Sequence, residues 1–214
     1  MKPFLCTGAL MTACVSFAQA DFDKSLANVG LLNVPPVVKA LKLTAAQDKK
    51  IKDVRQDKQL QIQKLDAEAK AKPKEAAEIA KRARALSREF DLKIVGVLDA
   101  TQLKRLREAS IQVLGANALT VASVQERLKL TAEQRKKVGE LEKQYKQKQH
   151  AAHQADALKK AKDKKPGEMA ANLKAIGAEY SASIKKVLTE AQLKTFRELQ
   201  GQAIPGLVVT SVKI

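Results

Sequence analysis

The residues best suited to chemistry in this 214-residue chain are its two histidines, His150 and His153. A spacing of three along a helix brings two imidazoles to one face, where both could bind one metal ion such as zinc. The first half of the chain has no matching histidine, and no third ligand is evident near the pair. We therefore interpret the pair as solvated side chains on a long polar helix, and we predict no metal and no cofactor.

The rest of the sequence has no pattern typical of a catalytic site. It contains no glycine-rich phosphate loop and no nucleophile elbow, and its serines occur without a histidine nearby. The carboxylates are scattered among lysines, as on a solvated helix surface. We predict that the protein is not an enzyme.

The chain carries a large excess of positive charge. Forty Lys and Arg residues stand against 23 Asp and Glu residues, giving a net charge of +17. Solubility alone needs a net charge of about 2–8 for a small domain, so we expect anionic partners. Basic runs such as Lys49-Lys50-Ile51-Lys52 lack interleaved aromatic residues for base stacking, and we expect no specific nucleic-acid partner.

Four short motifs of one type predict where the helices begin. Each consists of a leucine, a capping residue and, three positions after the cap, a glutamine. In such a capping box the cap's side-chain oxygen accepts from the amide of the third helical residue, and the glutamine bonds back to the cap's amide. The motifs specify helix starts and no reaction. Their residues are Leu43, Thr44 and Gln47; Leu98, Asp99 and Gln102; Leu130, Thr131 and Gln134; and Leu188, Thr189 and Gln192.

The motifs occur as ordered pairs, one pair in each half of the chain, which indicates an internal duplication. Between the members of each pair, apolar residues at steps of three and four form a narrow stripe that includes Phe90 or Tyr180. We predict an all-α protein of long antiparallel helical hairpins in two tandem repeats. The expected shape is elongated, and the sequence leaves its curvature open. The two stripes would pack against each other or against the first long helix of each half.

Residues 1–20 predict a secretory signal peptide. Lys2 is followed by an apolar stretch, and Ala18-Gln19-Ala20 is a small-x-small cleavage site. The expected product is periplasmic or secreted after cleavage near Ala20. The alternative, a lipoprotein anchored at Cys14, is weakened by Met11 in the place where leucine is usual.

We expect no membrane span, since no later stretch has the ~20 apolar residues that one needs. The remaining chain is predicted to contain an N-terminal segment, two repeats and a tail. Their predicted ranges are 21–33, 34–118, 119–204 and 205–214.

The repeated Leu-Thr-x-x-Gln resembles the motif of the periplasmic Spy/CpxP family, whose members carry two such motifs on long helices behind a cleaved signal. The resemblance covers about residues 34–200, and the chain would be a tandem duplicate. It implies a curved helical cradle, formed in that family by dimers. It also implies chaperone activity without ATP, or partner binding in envelope-stress signalling. Some relatives bind metals through histidines that have no match in this chain.

These observations together predict an exported binding protein that holds unfolded or anionic envelope proteins on a basic, partly apolar surface. One alternative is a sensor or inhibitor that docks an envelope signalling receptor. Another is a polyanion or cell-envelope structural binder that acts through charge alone. The duplication predicts a monomeric pseudo-dimer, with a homodimer as the alternative.

Overall fold

The computed structural model describes residues 19–159, 165 and 167–207, and within these ranges the chain is helical with no strand. The all-α prediction is therefore confirmed. The predicted signal peptide, apart from its last two residues, lies outside the described residues, and so do Cys14 and the tail from 208 onward. The chain divides into two compact units, Met1–Arg107 and Glu108–Ile214. This division lies within a helix, before the expected repeat boundary after residue 118.

The first unit begins with a short helix, α1, over 19–26, followed by a 3-10 turn at Val29–Asn33. Pro35 occupies the first position of the next helix, where the missing N–H has no helical partner to lose. A 3-10 turn at Pro73–Glu75 separates the two long helices. The remaining helices of the unit are α2 (Pro35–Leu41), α3 (Ala45–Ala71), α4 (Ala76–Val95) and α5 (Ala100–Leu114), the last of which crosses the division.

The two long helices α3 and α4 pack along each other as a hairpin. Ile51 from α3 and Ile79, Phe90 and Ile94 from α4 are each no more than 2% exposed. The apolar stripe of the second long helix therefore packs against the first long helix of its own half. Of the two arrangements that the sequence left open for this stripe, the structure has the one in which it packs on the first long helix.

The second unit has the same order of helices. A 3-10 turn at Gly115–Thr120 leads into α6 (Ala122–Arg127). The long helices α7 (Ala132–Leu158) and α8 (Glu168–Val187) pack along each other. The two first long helices, α3 and α7, each have 27 residues, and the two second long helices, α4 and α8, each have 20. Equal lengths are what a duplication produces, although the tandem repeat itself stays a prediction. The second unit also contains α9 (Glu190–Gln200).

Two lysines in left-handed backbone conformation lead into the long helices. Lys42 has φ of 49° and Lys129 has φ of 52°, and each precedes the leucine of a motif. Glycine is the usual residue in this conformation because it has no Cβ. Because lysine is not typical of this conformation, the sequence did not predict the two turns that lead into α3 and α7.

Gln112 in α5 holds the chain segment that follows α9. Its Nε2 donates to the carbonyl oxygens of Gln200 at 2.7 Å and Gln202 at 2.8 Å. Its Oε1 accepts from the amide of Ile204 at 3.2 Å. These bonds satisfy main-chain groups at and after the end of α9. The segment can therefore pack closely, and Ile204 is only 5% exposed.

Gly201, immediately after α9, is the glycine whose replacement we expect to be most harmful. Its φ of 61° and ψ of −160° form a conformation that is strained for any residue with a Cβ. A Cβ there would also overlap the buried carboxyl group of Glu108. We expect Gly201→Ala to lower the free energy of unfolding by about 1–3 kcal/mol, measured by urea denaturation.

Gly139→Ala is the matched control for this prediction. Gly139 lies inside α7, and a Cβ there would have no atom within 4 Å. Alanine in such a position should raise the free energy of unfolding by about 0.5–1 kcal/mol. Two variants with the same effect would contradict the assignment of strain to Gly201.

Candidate binding surface

Each of the four motifs forms both hydrogen bonds of a capping box. At Thr44, Thr131 and Thr189 the hydroxyl oxygen accepts from the glutamine amide, and the glutamine side chain accepts from the threonine amide. At Asp99 the carboxylate accepts from the amide of Gln102 at 2.8 Å, and the amide of Asp99 donates to Gln102 Oε1 at 3.1 Å. The motif leucines Leu98, Leu130 and Leu188 are buried, whereas Leu43 is half-buried.

The glutamines of the two motifs in each unit are also hydrogen-bonded to each other, a contact that the motif pattern does not predict. Gln47 Nε2 donates to Gln102 Oε1 at 2.7 Å, and Gln102 Nε2 donates to Gln47 Oε1 at 3.0 Å. Gln134 and Gln192 form the same reciprocal pair, at 2.8 and 3.0 Å. Each pair therefore joins the starts of two helices.

The glutamine pairs also bond the main chain at the ends of other helices. Gln47 Nε2 donates to the carbonyl of Val97 at 3.0 Å, and Gln134 Nε2 donates to the carbonyl of Val187 at 2.8 Å. Gln192 Nε2 donates to the carbonyl of Leu128 at 3.3 Å. The motif residues thus hold the ends of the hairpins together, and they present no reactive group.

The two histidines lie exposed on α7. His150 has Glu142, Lys143 and Lys146 along the same face of the helix. Across the part of the chain that the structure describes, no three His, Cys, Asp or Glu side chains come close enough to hold a metal ion.

The basic runs are exposed to solvent where they are described. Lys49, Lys50 and Lys52 are exposed near the start of α3, and Lys52 Nζ lies 2.6 Å from Asp48 Oδ2. Exposed ion pairs of this kind contribute ~1 kcal/mol or less, because water screens them. The first eight residues of α3, 45–52, therefore carry three exposed lysines against one aspartate.

A shallow groove between α3 and α4 is the feature best suited to a partner's side chain. We call it the leucine groove. Its apolar wall is Leu60, Leu65 and Leu86, and its charged lining is of both signs: Lys64, Arg82, Asp57 and Glu68. It has a volume of about 500 Å³, and Leu60 is 52% exposed. Leu60 is the exposed leucine of the groove, and Arg82 Nη1 lies 3.0 Å from Glu68 Oε1 within it. The groove could therefore hold an aliphatic side chain among charged groups of both signs.

Leu60 is one of three large apolar side chains that are exposed in the described ranges. The others, Leu92 and Leu158, are 63% and 86% exposed and do not line the leucine groove. Single exposed leucines are common on soluble proteins, so the groove is distinguished by its grouping of leucines rather than by Leu60 alone.

In the second unit, two tyrosines fill the space between α7 and α8. The rings of Tyr145 and Tyr180 are stacked, with centroids 4.5 Å apart and an interplanar angle of 13°. Tyr145 Oη accepts from Gln149 Nε2 at 2.9 Å, whereas the buried Tyr180 hydroxyl has no hydrogen-bond partner among the described residues. Only a small cavity of about 20 Å³, the size of one water molecule, adjoins the stack.

Burial raises the pKa of the Tyr180 phenol well above its ordinary value, and the nearby Glu142 and Tyr145 charges raise it further. Burial also raises the pKa of Tyr145. Both effects disfavour the phenolate, because a negative charge in an apolar site loses its hydration.

We expect Tyr180→Phe to reduce the loss of stability in alkali. The folded chain keeps the Tyr180 proton at pH values where the unfolded chain, with an ordinary pKa of 10.0, releases it. The free energy of unfolding is therefore unaffected by this group below that value, and it falls as the pH rises through it. Urea denaturation from about pH 8 to 11 should show a shallower decline for the variant. A decline of equal slope in both proteins would contradict the prediction.

No described helix combines the length and the apolar character that crossing a membrane requires. No protein-family model, curated protein or solved structure matches the chain. The resemblance to the Spy/CpxP family therefore depends on the motifs alone and stays a prediction.

Proposed function

We propose that the chain is an exported binding protein that holds unfolded or anionic envelope proteins without ATP. The observation that supports this most directly is the leucine groove, where Leu60 is half exposed among charged side chains of both signs. Covering apolar surface stabilises a complex by ~25 cal/mol per Å², which favours clients whose aliphatic side chains are accessible. Unfolded proteins meet that condition, whereas folded ones bury most such side chains.

The net charge of +17 supports the same proposal at longer range. A strongly cationic surface raises the rate at which acidic segments encounter it, and the attraction weakens as salt screens the charges. Apolar contacts in the groove would then retain the client at physiological salt. The motif resemblance to the Spy/CpxP family points to the same class of activity, either as a chaperone or as an envelope-stress protein.

The test is suppression of aggregation of a reduced client protein at physiological salt. We expect the intact chain to delay aggregation, and we expect Leu60→Gln to lose most of that effect. Gln147, at the position that matches Leu60 in the predicted repeat, shows that glutamine is tolerated on such a helix. Absence of protection at a stoichiometric excess of the intact chain would refute the proposal.

Leu158→Gln provides the matched control. Leu158 is more exposed than Leu60 but does not line the leucine groove. We expect this variant to protect as well as the intact chain. If both variants lose protection equally, general surface hydrophobicity and not the groove holds the client.

Binding of polyanions through charge alone is the second candidate, and the net charge favours it. Salt separates the two functions. Charge-driven binding falls steeply with ionic strength, whereas binding that also buries leucines keeps part of its affinity. A client affinity that disappears at high salt and is unchanged in Leu60→Gln would support the polyanion function instead.

Export is part of the proposal and has its own test. Sequencing the amino terminus of the protein recovered from the periplasm or the medium should give a chain that begins at Asp21. Retention of the whole chain in the cytoplasm would contradict export. Incorporation of a labelled fatty acid that depends on Cys14 would support the lipoprotein alternative.

A further inference from the structure

The stacked tyrosines are the only two tyrosines in the chain, and the chain has no tryptophan. Tryptophan and tyrosine are the aromatic side chains from which one electron is most readily removed. Because tryptophan is absent, oxidation of the aromatic residues leads to Tyr145 and Tyr180. Both cysteines, Cys6 and Cys14, lie within the predicted signal peptide and would be removed with it.

The contact between the rings brings the two phenols within reach of each other. The centroids are 4.5 Å apart and the ring planes are nearly parallel, so carbon atoms of one ring face those of the other. An ion pair between Lys148 of α7 and Glu179 of α8 connects the same two helices beside the stack. Because both side chains are exposed, the packing of the rings and not this ion pair is what holds the two phenols together.

The two tyrosines differ in their access to solvent. Tyr145 is half-buried, so a diffusing oxidant can reach it. Tyr180 is only 6% exposed. A radical formed at Tyr180 is therefore protected from reactants in solution, and its nearest aromatic neighbour is Tyr145.

We propose that Tyr145 and Tyr180 form an oxidative cross-linking site that joins α7 to α8 through a dityrosine bond. A peroxide, activated by a haem peroxidase, removes one electron and one proton from the accessible Tyr145. The Tyr145 radical takes a hydrogen atom from Tyr180, and a second oxidation of Tyr145 leaves one radical on each ring. The two radicals couple through the carbon atoms ortho to their hydroxyl groups. Each ring then moves its ortho hydrogen to the oxygen and becomes aromatic again. One carbon–carbon bond forms, two hydrogen atoms leave the protein, and one hydrogen peroxide becomes two waters.

The cross-link would make the second hairpin harder to unfold. It closes the chain segment between the two tyrosines, which limits the conformations that the unfolded chain can adopt. Oxidising conditions would thus rigidify the hairpin of α7 and α8, while the hairpin of α3 and α4 has no tyrosine and stays unlinked.

The test treats the full chain, at low micromolar concentration, with hydrogen peroxide and a haem peroxidase. We expect the monomeric fraction to show dityrosine fluorescence and an intact mass lower by two hydrogen atoms. Peptide mapping should place the link between the peptides that contain Tyr145 and Tyr180. Dityrosine confined to covalent dimers, with an unchanged monomer mass, would overturn the proposal.

Two variants and one condition complete the experiment. Tyr145→Phe and Tyr180→Phe should each abolish the intramolecular link. Phenylalanine already occupies the position that matches Tyr180 in the first half, Phe90. The folded chain should cross-link at least about tenfold faster than the chain in urea, because contact raises the effective concentration of the second phenol. Equal rates in the folded and unfolded chains would show that the stack does not direct the reaction.

Discussion

Replacing Arg107 with alanine is expected to lower the free energy of unfolding by about 3–5 kcal/mol, the largest loss that we expect from any single substitution in this chain. Arg107 Nε donates to Asp23 Oδ1 at 3.0 Å, and the two side chains are only 3% and 7% exposed. The guanidinium also lies over the Phe22 ring, 5.5 Å from its centroid. Truncation removes the cation and leaves the Asp23 carboxylate buried, which is the reason for the large loss.

Urea denaturation of Arg107→Ala and of Lys104→Ala measures this effect. Each substitution removes one positive charge, so the two variants have the same net charge. Lys104 lies on the same helix and is exposed, so its removal should change the free energy of unfolding by about 0.5 kcal/mol or less. Replacing both partners, with Arg107→Met and Asp23→Leu, should recover most of the lost stability because neither charge of the pair is left buried without the other. Similar losses in Arg107→Ala and Lys104→Ala would contradict the assignment.

This ion pair joins α1 to α5 within the first unit. It depends little on where the chain is cleaved. Gln19 Nε2 also donates to Asp23 Oδ1, at 2.9 Å, and cleavage after Ala20 would remove that donor. The bond from Arg107 would remain. The predicted mature chain therefore keeps the attachment of α1.

Hydrogen bonds within a motif could be predicted from the sequence, whereas bonds between motifs could not. The bonds between Thr44 and Gln47 link residues three apart, so residue type and spacing define them. The bond between Gln47 and Gln102 depends on how α3 and α5 are placed, and glutamine looks the same in sequence whether or not its amide is paired. The same holds for Asp23 and Arg107, which lie in segments without a shared pattern.

The candidate surface could likewise be predicted only in part. The apolar stripe that includes Phe90 and Tyr180 could be predicted, because burial of a helix face follows from spacing. The sequence could not show that leucines would line an open groove in the first unit while Tyr145 would fill the space beside Tyr180 in the second. Those differences depend on the side chains that each facing helix supplies. The open groove and the closed stack therefore emerged only with the structure.

The second large effect is expected from Gln134→Glu, which tests the glutamine pair without removing the cap. A glutamate can still accept from the amide of Thr131, so the capping box should survive. A carboxylate cannot donate, however, and its oxygen would face Gln192 Oε1 and the Val187 carbonyl, which now lie 2.8 Å from Gln134 Nε2. We expect a loss of about 2–4 kcal/mol in the free energy of unfolding, since the carboxylate repels both oxygens, the Val187 carbonyl loses this donor, and Gln192 Oε1 keeps only the Thr189 amide.

The control for Gln134→Glu is Gln147→Glu, which adds the same charge at an exposed position on α7 and should be nearly neutral. Acid provides a second check. Once the introduced carboxyl group is protonated, it can donate one hydrogen bond. The variant's loss in the free energy of unfolding should therefore be smaller near pH 4 than at neutral pH, by about 1 kcal/mol. A loss that matches the control at neutral pH would mean that the capping boxes hold the hairpin ends without the glutamine pair. A loss that persists unchanged in acid would assign the effect to side-chain shape and not to the missing donor.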